Sequence, residues 1–599
     1  MLSTKAKYLF EVSWEVCNKV GGIYTVVKSK AQQMVKHYKE FYFLIGPYFD
    51  NKSMREFQPE VPDEKLNKVF EKLKNKKIIA YYGKWLIKGK PKTILIDFSK
   101  FFEKKNDIKK QMWEGYEIDS LNSPYDYDEP VVWANAVARF LEEFSHVFEG
   151  EKVAHFHEWL SGAALLYIKK KNIKIGTVFT THATMLGRTL AGNNVDLYSI
   201  KNNKCILELM NIEREAHNYN ITAKHQLEKA TAQYADVFTT VSEITGLETE
   251  HILKRKPDIL IPNGLDFSEL PNLEEIPIKH KVYKAKVREF IISYFFPYYP
   301  LDIENTLFYF IAGRYEFKNK GIDVTIKALA LLNEKLKKEK SKKTIVVFFF
   351  IPANIKKMNL SVIESKALFE DIEDSVDDNL KEIRERIIYG LAQQKLPTKT
   401  KIFDEDFLLE LRNKILSFKK EGYPPLSTHE LVDEQNDLIL KSFRESKLSN
   451  KKTDNVKVVF YPYYLSASDG LLDLNYYSAI WGCHLGIFAS YYEPWGYTPL
   501  ECAAYGVPSI TTDLAGFGKF VLANSKEEPG IFVIKRQGKK EEFVVKKLAD
   551  RLYRYTTLPK NDRIKCKIKA EHFAPLCDWG KLVVNYIKAH NMALEKITK

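Results

Sequence analysis

The chain has 599 residues, more than one hydrophobic core usually organises, so two domains of a few hundred residues each are expected, with a cleft between them. Hydrophobic residues make up 45% and aromatics 13%, enough to bury large cores and to exclude the disordered and fibrous classes. The 92 basic against 78 acidic residues leave a formal charge of +14. Runs such as "KLKKEKSKK" at 335–343 fit solvated helix ends, and no nucleic-acid-binding module accompanies them; the excess instead suits an anionic small substrate.

In chain order, "YLFEVS", "FYFLIG", "KIIAYY" and "TILIDF" have the apolar density of buried strands. The helical "PVVWANAVARFLEEFSHVF" follows, then "KVAHFHEW", "GTVFTTHA", "DVFTTVS" and "DILIPNG". Such alternation builds a parallel sheet wrapped in helices. After a polar, Pro-punctuated stretch at 265–305, a second set begins with "TLFYFIAGR", "TIVVFFFIP", "VKVVFYP", "HLGIFAS", "PSITTD" and "GIFVIKR". The fold class is therefore α/β, with two doubly wound, Rossmann-like domains, 1–270 and 271–578. Between them in character lies a charged segment, about 353–455, poor in strand patterns; it is expected to be a helical insertion in the second domain that contacts other subunits. The six cysteines form no CxxC pair and sit in largely apolar segments, as buried thiols of a reducing compartment do, and no apolar run is long enough to span a membrane. A cytoplasmic protein is expected.

Four stretches carry polar groups where such sheets bind ligands, at the carboxyl ends of strands. In "EVCNKVGGIYTVV", Lys19, Gly21 and Gly22 precede a helical run, so backbone N–H groups and one ammonium can meet an anion, or the glycines serve a tight turn only. "HFHEW" puts His155 and His157 on one face, either binding a substrate or satisfying each other; "HEWLS" lacks HExxH spacing, and His182 can at most join them in space. In "IAGRYEFKNKGID", Arg314 and Lys320 combine a planar donor fork with a mobile charge, which suits a diphosphate, against the alternative of a solvated basic loop. "SYYEPWGYTPLECAAYGVPSI" places Glu493 and Glu501 across a strand-to-helix turn, with Thr498 read as helix N-cap, Pro499 at the first helical position and Glu501 closing a capping box.

Together these stretches, with "FTTHATMLGR", "ILKRKPDI" and "GCHLGIFASYYEPWGYTPLE", resemble the glycogen synthases of the eukaryotic type, retaining glycosyltransferases of GT-B fold, over nearly the whole chain. The resemblance implies transfer of glucose from UDP-glucose to the non-reducing end of an α-1,4-glucan, without metal or other cofactor. It implies that Arg314 and Lys320 hold the diphosphate, Glu493 contacts the transferred glucose, His157 lies beside it, and Glu501 binds the ribose. Lys19, Gly21 and Gly22 would meet the donor phosphates, Tyr464 and Tyr476 the base, and backbone groups of Tyr497 and Thr498 the distal phosphate, with Trp495 and Gly496 of the same turn also counted as substrate-binding. A homotetramer, with a glycogen-priming protein as a further partner, and a closing helix at 579–599 packed back on the first domain are expected on the same ground. Where relatives carry a row of arginines for glucose 6-phosphate, this chain has Lys567, Lys569 and His572, in a basic segment with Lys565, so regulation there is expected to be weak or absent. The start near the first strand and the end at "MALEKITK" give no expectation of terminal phosphorylation control. The competing readings are a GT-B transferase using ADP-glucose or another acceptor, and an inert glucan-binding scaffold.

Overall fold

The computed structural model describes residues 3–53, 55–201, 204–270 and 274–598. The domain boundary expected between 270 and 271 adjoins 271–273, which lie outside the described residues. Nine strands form the first sheet, in the order Ile259–Leu260, Val237–Thr240, Gly176–Thr181, Lys152–His157, Tyr8–Val12, Tyr42–Pro47, Lys92–Asp97, Ile79–Trp85 and Phe57–Pro59. The first seven pair in parallel. The last two are antiparallel, so the expectation of an all-parallel sheet fails at this edge. There the chain returns through a short loop at 86–91, too short for the helical crossover a parallel neighbour needs. The second sheet is wholly parallel: Val456–Tyr461, Thr344–Phe350, Thr306–Ala312, Leu485–Ile487, Ser509–Thr512 and Ile531–Ile534. Its strands are buried along almost their whole length because helices cover both faces.

Each sheet has one place where strand order reverses. In the first it lies between Tyr8–Val12 and Lys152–His157, in the second between Thr306–Ala312 and Leu485–Ile487. Crevices open outside the strand ends at such points. Glu11 and His157 flank the first, and Arg314 and Glu493 follow the strands that flank the second.

Three regions differ from the sequence expectations. The polar stretch 265–305 holds a helix of 21 residues, Glu275–Phe295, whose Phe290, Ile291 and Phe295 are buried against the second sheet. The charged segment contains a long helix, Leu360–Ala392, doubled back through Glu405–Phe418, but a two-stranded antiparallel ribbon of Ile355–Met358 and His429–Leu431 closes its base. Beyond it, Leu438–Glu445 returns to the core through Ile439, Leu440 and Phe443. The insertion proper is thus shorter than 353–455.

The helix Trp579–Thr598 lies on the first sheet, with Val583, Ile587, Ala589, Ala593 and Leu594 packed among Leu9, Val27, Leu44, Val153 and Val178. The far end of the chain therefore completes the core of its beginning. Truncating Ile587, which is 0% exposed, to Ala is expected to destabilise the N-terminal half by about 2–5 kcal/mol, read as a lower urea midpoint for that half.

Candidate active site

On the N-terminal side of the cleft, the centre is a buried ion pair. Glu11, next to last in the first strand, is 1% exposed; its Oε1 accepts from Lys30 Nζ at 2.5 Å and from His157 Nε2 at 2.7 Å, and its Oε2 from Tyr42 Oη at 2.5 Å. Burial opposes the carboxylate's charge, yet Lys30 and His157 override it and hold Glu11 well below the usual carboxylate range. Lys30 rests against the Tyr586 ring at 3.7 Å. Since burial also lowers His157, the ring is neutral at pH 7; Nε2–H donates to Glu11 and Nδ1 accepts from His182 Nε2–H at 3.0 Å. His182 Nδ1 is then an acceptor at the end of its strand. His155 takes no part in this line and bonds to Thr180 at 2.6 Å and His590 at 3.1 Å.

His157, expected beside the sugar, is 1% exposed with both ring nitrogens engaged. As it stands it orients His182, which is 7% exposed, and direct contact with a ligand would require breaking one of these bonds. Ligand atoms of Glu11, His155 and His157 lie within 4.8 Å of one another. The Lys30 ammonium already supplies the positive charge that a cation there would bring.

Lys19, Gly21 and Gly22 are exposed at the start of the helix Gly22–Tyr38. Part of the expected anion site is filled: the Gly21 and Tyr24 amides donate to Glu15 Oε2 at 2.7 and 2.8 Å. Within that first turn the Gly22 and Ile23 amides are left for an incoming anion. Arg188, missed in the sequence reading, projects from Met185–Gly192 under the field of Glu158, Glu228 and Glu316, and its guanidinium makes no hydrogen bond or ion pair among the described residues. Its only sequence signal was a cation inside the apolar run "MLGRTLAG".

On the C-terminal side, Lys320 Nζ forms an ion pair with Glu493 Oε2, each side chain 19% exposed. Gly321 follows at φ +66, its α-carbon so close to the Ala489 carbonyl that a Cβ would lie 1.8 Å from the oxygen, so any side chain would push Lys320 off Glu493. The Arg314 side chain is 76% exposed and, among the described residues, forms its ion pair with Glu316 at 2.9 Å. Beside it a cavity of about 390 Å³ is lined by Arg314, Phe350, Tyr463, Tyr464 and Tyr476. Glu501 stands next to this cavity and accepts from Tyr476 Oη at 3.0 Å and Tyr477 Oη at 3.2 Å.

That corrects the capping-box reading. The helix runs Tyr497–Ala504 with Gly496 as N-cap at φ +105; Thr498 lies two residues past the cap, inside the helix, and Glu501 points to tyrosines rather than back to the chain. Trp495 is also not a cleft residue: it is 4% exposed and packs on Phe517 and Phe520. The Tyr497 ring is likewise turned into the core, so this turn offers a ligand its backbone amides.

The loop bearing Glu493 crosses to the other half. Tyr491 Oη reaches Asp196 Oδ1 at 2.5 Å, Tyr492 Oη reaches Glu248 Oε2 at 3.2 Å, and Ser242 Oγ donates to the Pro494 carbonyl at 2.7 Å. A second cavity of about 380 Å³ opens at this end, lined from both halves by Asp196, Tyr198, Lys318, Asp323, Tyr491 and Arg536.

A glycogen synthase family model matches residues 11–599. The chain belongs to the glycogen synthase family. It is 37% identical over 592 residues to the liver glycogen (starch) synthase of Rattus norvegicus, covering 98% of this chain and 83% of that one. To isoform 2 of Saccharomyces cerevisiae it is 38% identical over 616 residues, covering 98% and 86%. The catalytic domain of starch synthase IV from Arabidopsis thaliana, bound to ADP and acarbose, superposes with a TM-score of 0.51 at 14% identity, covering 98% of this chain and 100% of that one, which shows a shared fold. This glycogen synthase family chain is thus a glycosyltransferase of GT-B fold.

The lysine row divides. Lys565 pairs with Asp562 at 2.9 Å and Lys569 with Glu527 at 3.1 Å, both at the surface. Lys567 points inward, donating to His280 Nε2 at 2.9 Å. Arg563 and Lys284 act on the same ammonium, so guanidinium character is not wholly lost from this region. Burial, then Lys284 and Arg563, push Lys567 down to about 7. The unfolded chain, with its lysine near 10.5, binds more protons than the native one between these values, so stability rises with pH across about 7 to 10. Urea midpoints measured over that range should climb in the native sequence and lose this component in Lys567→Met.

Proposed function

We propose that this family member transfers glucose from UDP-glucose to the non-reducing end of an α-1,4-glucan such as glycogen, with retention at the anomeric carbon. The observation that carries the reading is the Lys320 and Glu493 pair at the strand-order reversal, beside a cavity edged by Arg314, Tyr464 and Tyr476. A nucleoside diphosphate needs a flat slot for its base, an acceptor for ribose hydroxyls and cations for its phosphates; the cavity, Glu501, and Arg314 with Lys320 are suited to these needs. As the glycosidic bond breaks, negative charge grows on the departing diphosphate, and preorganised cations lower that barrier. Lys320 is held by Glu493, so a single contact sets both the cation and the carboxylate nearest the sugar. Amides at Tyr497 and Thr498 and at Gly22 and Ile23 face phosphates from the two halves, and His182 Nδ1 accepts from a sugar hydroxyl.

The second cavity alternates carboxylates and cations beside two phenol rings, which suits a neutral polyol, and it is read as the glucan end of the cleft. No metal is required in this scheme, because Lys320, Arg314 and Arg188 carry the charge. Self-association as a homotetramer is supported by the helical arm, where Leu380, Ile388, Tyr389, Ile415 and Leu416 are all more than half exposed. Six free cysteines support a cytoplasmic site of action, where a priming protein would supply the first glucan.

Glu493→Gln and Arg314→Ala should each lower kcat/KM by about 100-fold or more, roughly 3 kcal/mol of barrier, while the melting temperature holds. UDP release measured with and without glycogen reads this, and retained turnover in both variants removes the assignment. In the same assay UDP-glucose is expected to be preferred; equal kcat/KM for ADP-glucose would move the chain to the alternative donor.

A further inference from the structure

We propose that Glu248 and Tyr492 are positioning residues, and that the hydrogen bond between them fixes the Glu493 loop against the N-terminal half in the geometry that binds the donor. The inference rests on reading Glu493 and Lys320 as the donor site. Glu493 itself makes its contacts within the C-terminal half: its carboxylate pairs with Lys320, and its carbonyl accepts from the Gly516 amide at 3.0 Å. Its neighbours do otherwise. Tyr492 is 5% exposed and is packed in the hydrophobic core of the N-terminal half, among residues that include Leu186, Leu207 and Ile244.

Glu248 lies in that core at 0% exposure and accepts three hydroxyls: Tyr198 at 2.5 Å, Thr184 at 2.8 Å and Tyr492 at 3.2 Å. The first two donors belong to the same half as Glu248. Only the third arrives with the loop. A buried carboxylate that loses a donor pays the desolvation of the oxygen left behind, so the phenol is drawn to this one position. The companion ties do less to define it, since the Tyr491 bond to Asp196 is exposed to water and the Ser242 bond runs to a carbonyl that tolerates other donors. Because Glu493 follows Tyr492 directly, a loop released at the phenol shifts the carboxylate that holds Lys320. Apparent donor affinity then falls with the fraction of molecules that keep the loop docked.

The test uses the full chain with Tyr492→Phe, Glu248→Gln and the double variant. Phe retains the ring and its packing, so a merely structural role leaves kinetics unchanged. We expect Tyr492→Phe to raise KM for UDP-glucose about tenfold, with kcat at saturating donor within about twofold of the parent and the melting temperature nearly unchanged. In the Glu248→Gln background the same substitution should add no more than about twofold. Amide exchange over 489–496 should accelerate in Tyr492→Phe. An unchanged KM, a fall in kcat at constant KM, or independent effects in the double variant would overturn the proposal. If the parent chain turns over no nucleotide sugar, the function assigned above fails, and unchanged exchange in Tyr492→Phe still refutes the docking role.

Discussion

Glu11 and Lys30 meet where the first strand, the first long helix and the closing helix converge, out of reach of water. Removing either partner would leave an uncompensated buried charge, at a cost of about 3–5 kcal/mol, so the surrounding elements are bound to one arrangement. Tyr42 from the next strand, His157 from across the strand-order reversal and Tyr586 from the closing helix all take their places around the pair. The line from Lys30 through Glu11 and His157 to His182 converts this stability into orientation, because each bond fixes which ring nitrogen carries the next proton.

The cleft is consequently built from two rigid strand-end crevices and one loop that belongs to both. In the C-terminal half, Gly321 and Gly496 adopt left-handed backbone that other residues avoid, one to seat Lys320 on Glu493, the other to open the helix of Glu501 toward the crevice. The stretch from Tyr491 to Pro494 then joins the halves through bonds to Asp196, Glu248 and Ser242. The Lys320 and Glu493 pair and the contacts between the halves share one short loop, so a change in either is felt by the other.

Much of this was legible from patterns local in sequence. Apolar runs located every strand of the second sheet, and Lys320, Glu493 and Arg314 were visible as charged residues after strand ends, with the family resemblance alone suggesting what they bind. Trp495 is the exception in the turn after Glu493: its ring packs on Phe517 and Phe520 instead of facing the cleft. Glu15 was passed over because an acid seven positions before a helix start gives no sign that it folds back to accept from the Gly21 and Tyr24 amides.

The sequence by itself determined the α/β class, the two sheets, the family and the principal charged groups of the cleft, since periodicity and motif spacing depend on neighbours along the chain. It did not disclose the antiparallel edge, the ribbon closing the helical arm, the partners of His157, or the placement of Arg188. The edge turns on one short loop, and the others on contacts between residues well separated along the chain, such as His157 with Glu11, whose energies exist only once the chain has packed. Burial decided the rest: whether a histidine binds a ligand or a neighbour, and whether a lysine is charged, depend on the water left around it, which is a property of the folded surface and not of the order of residues.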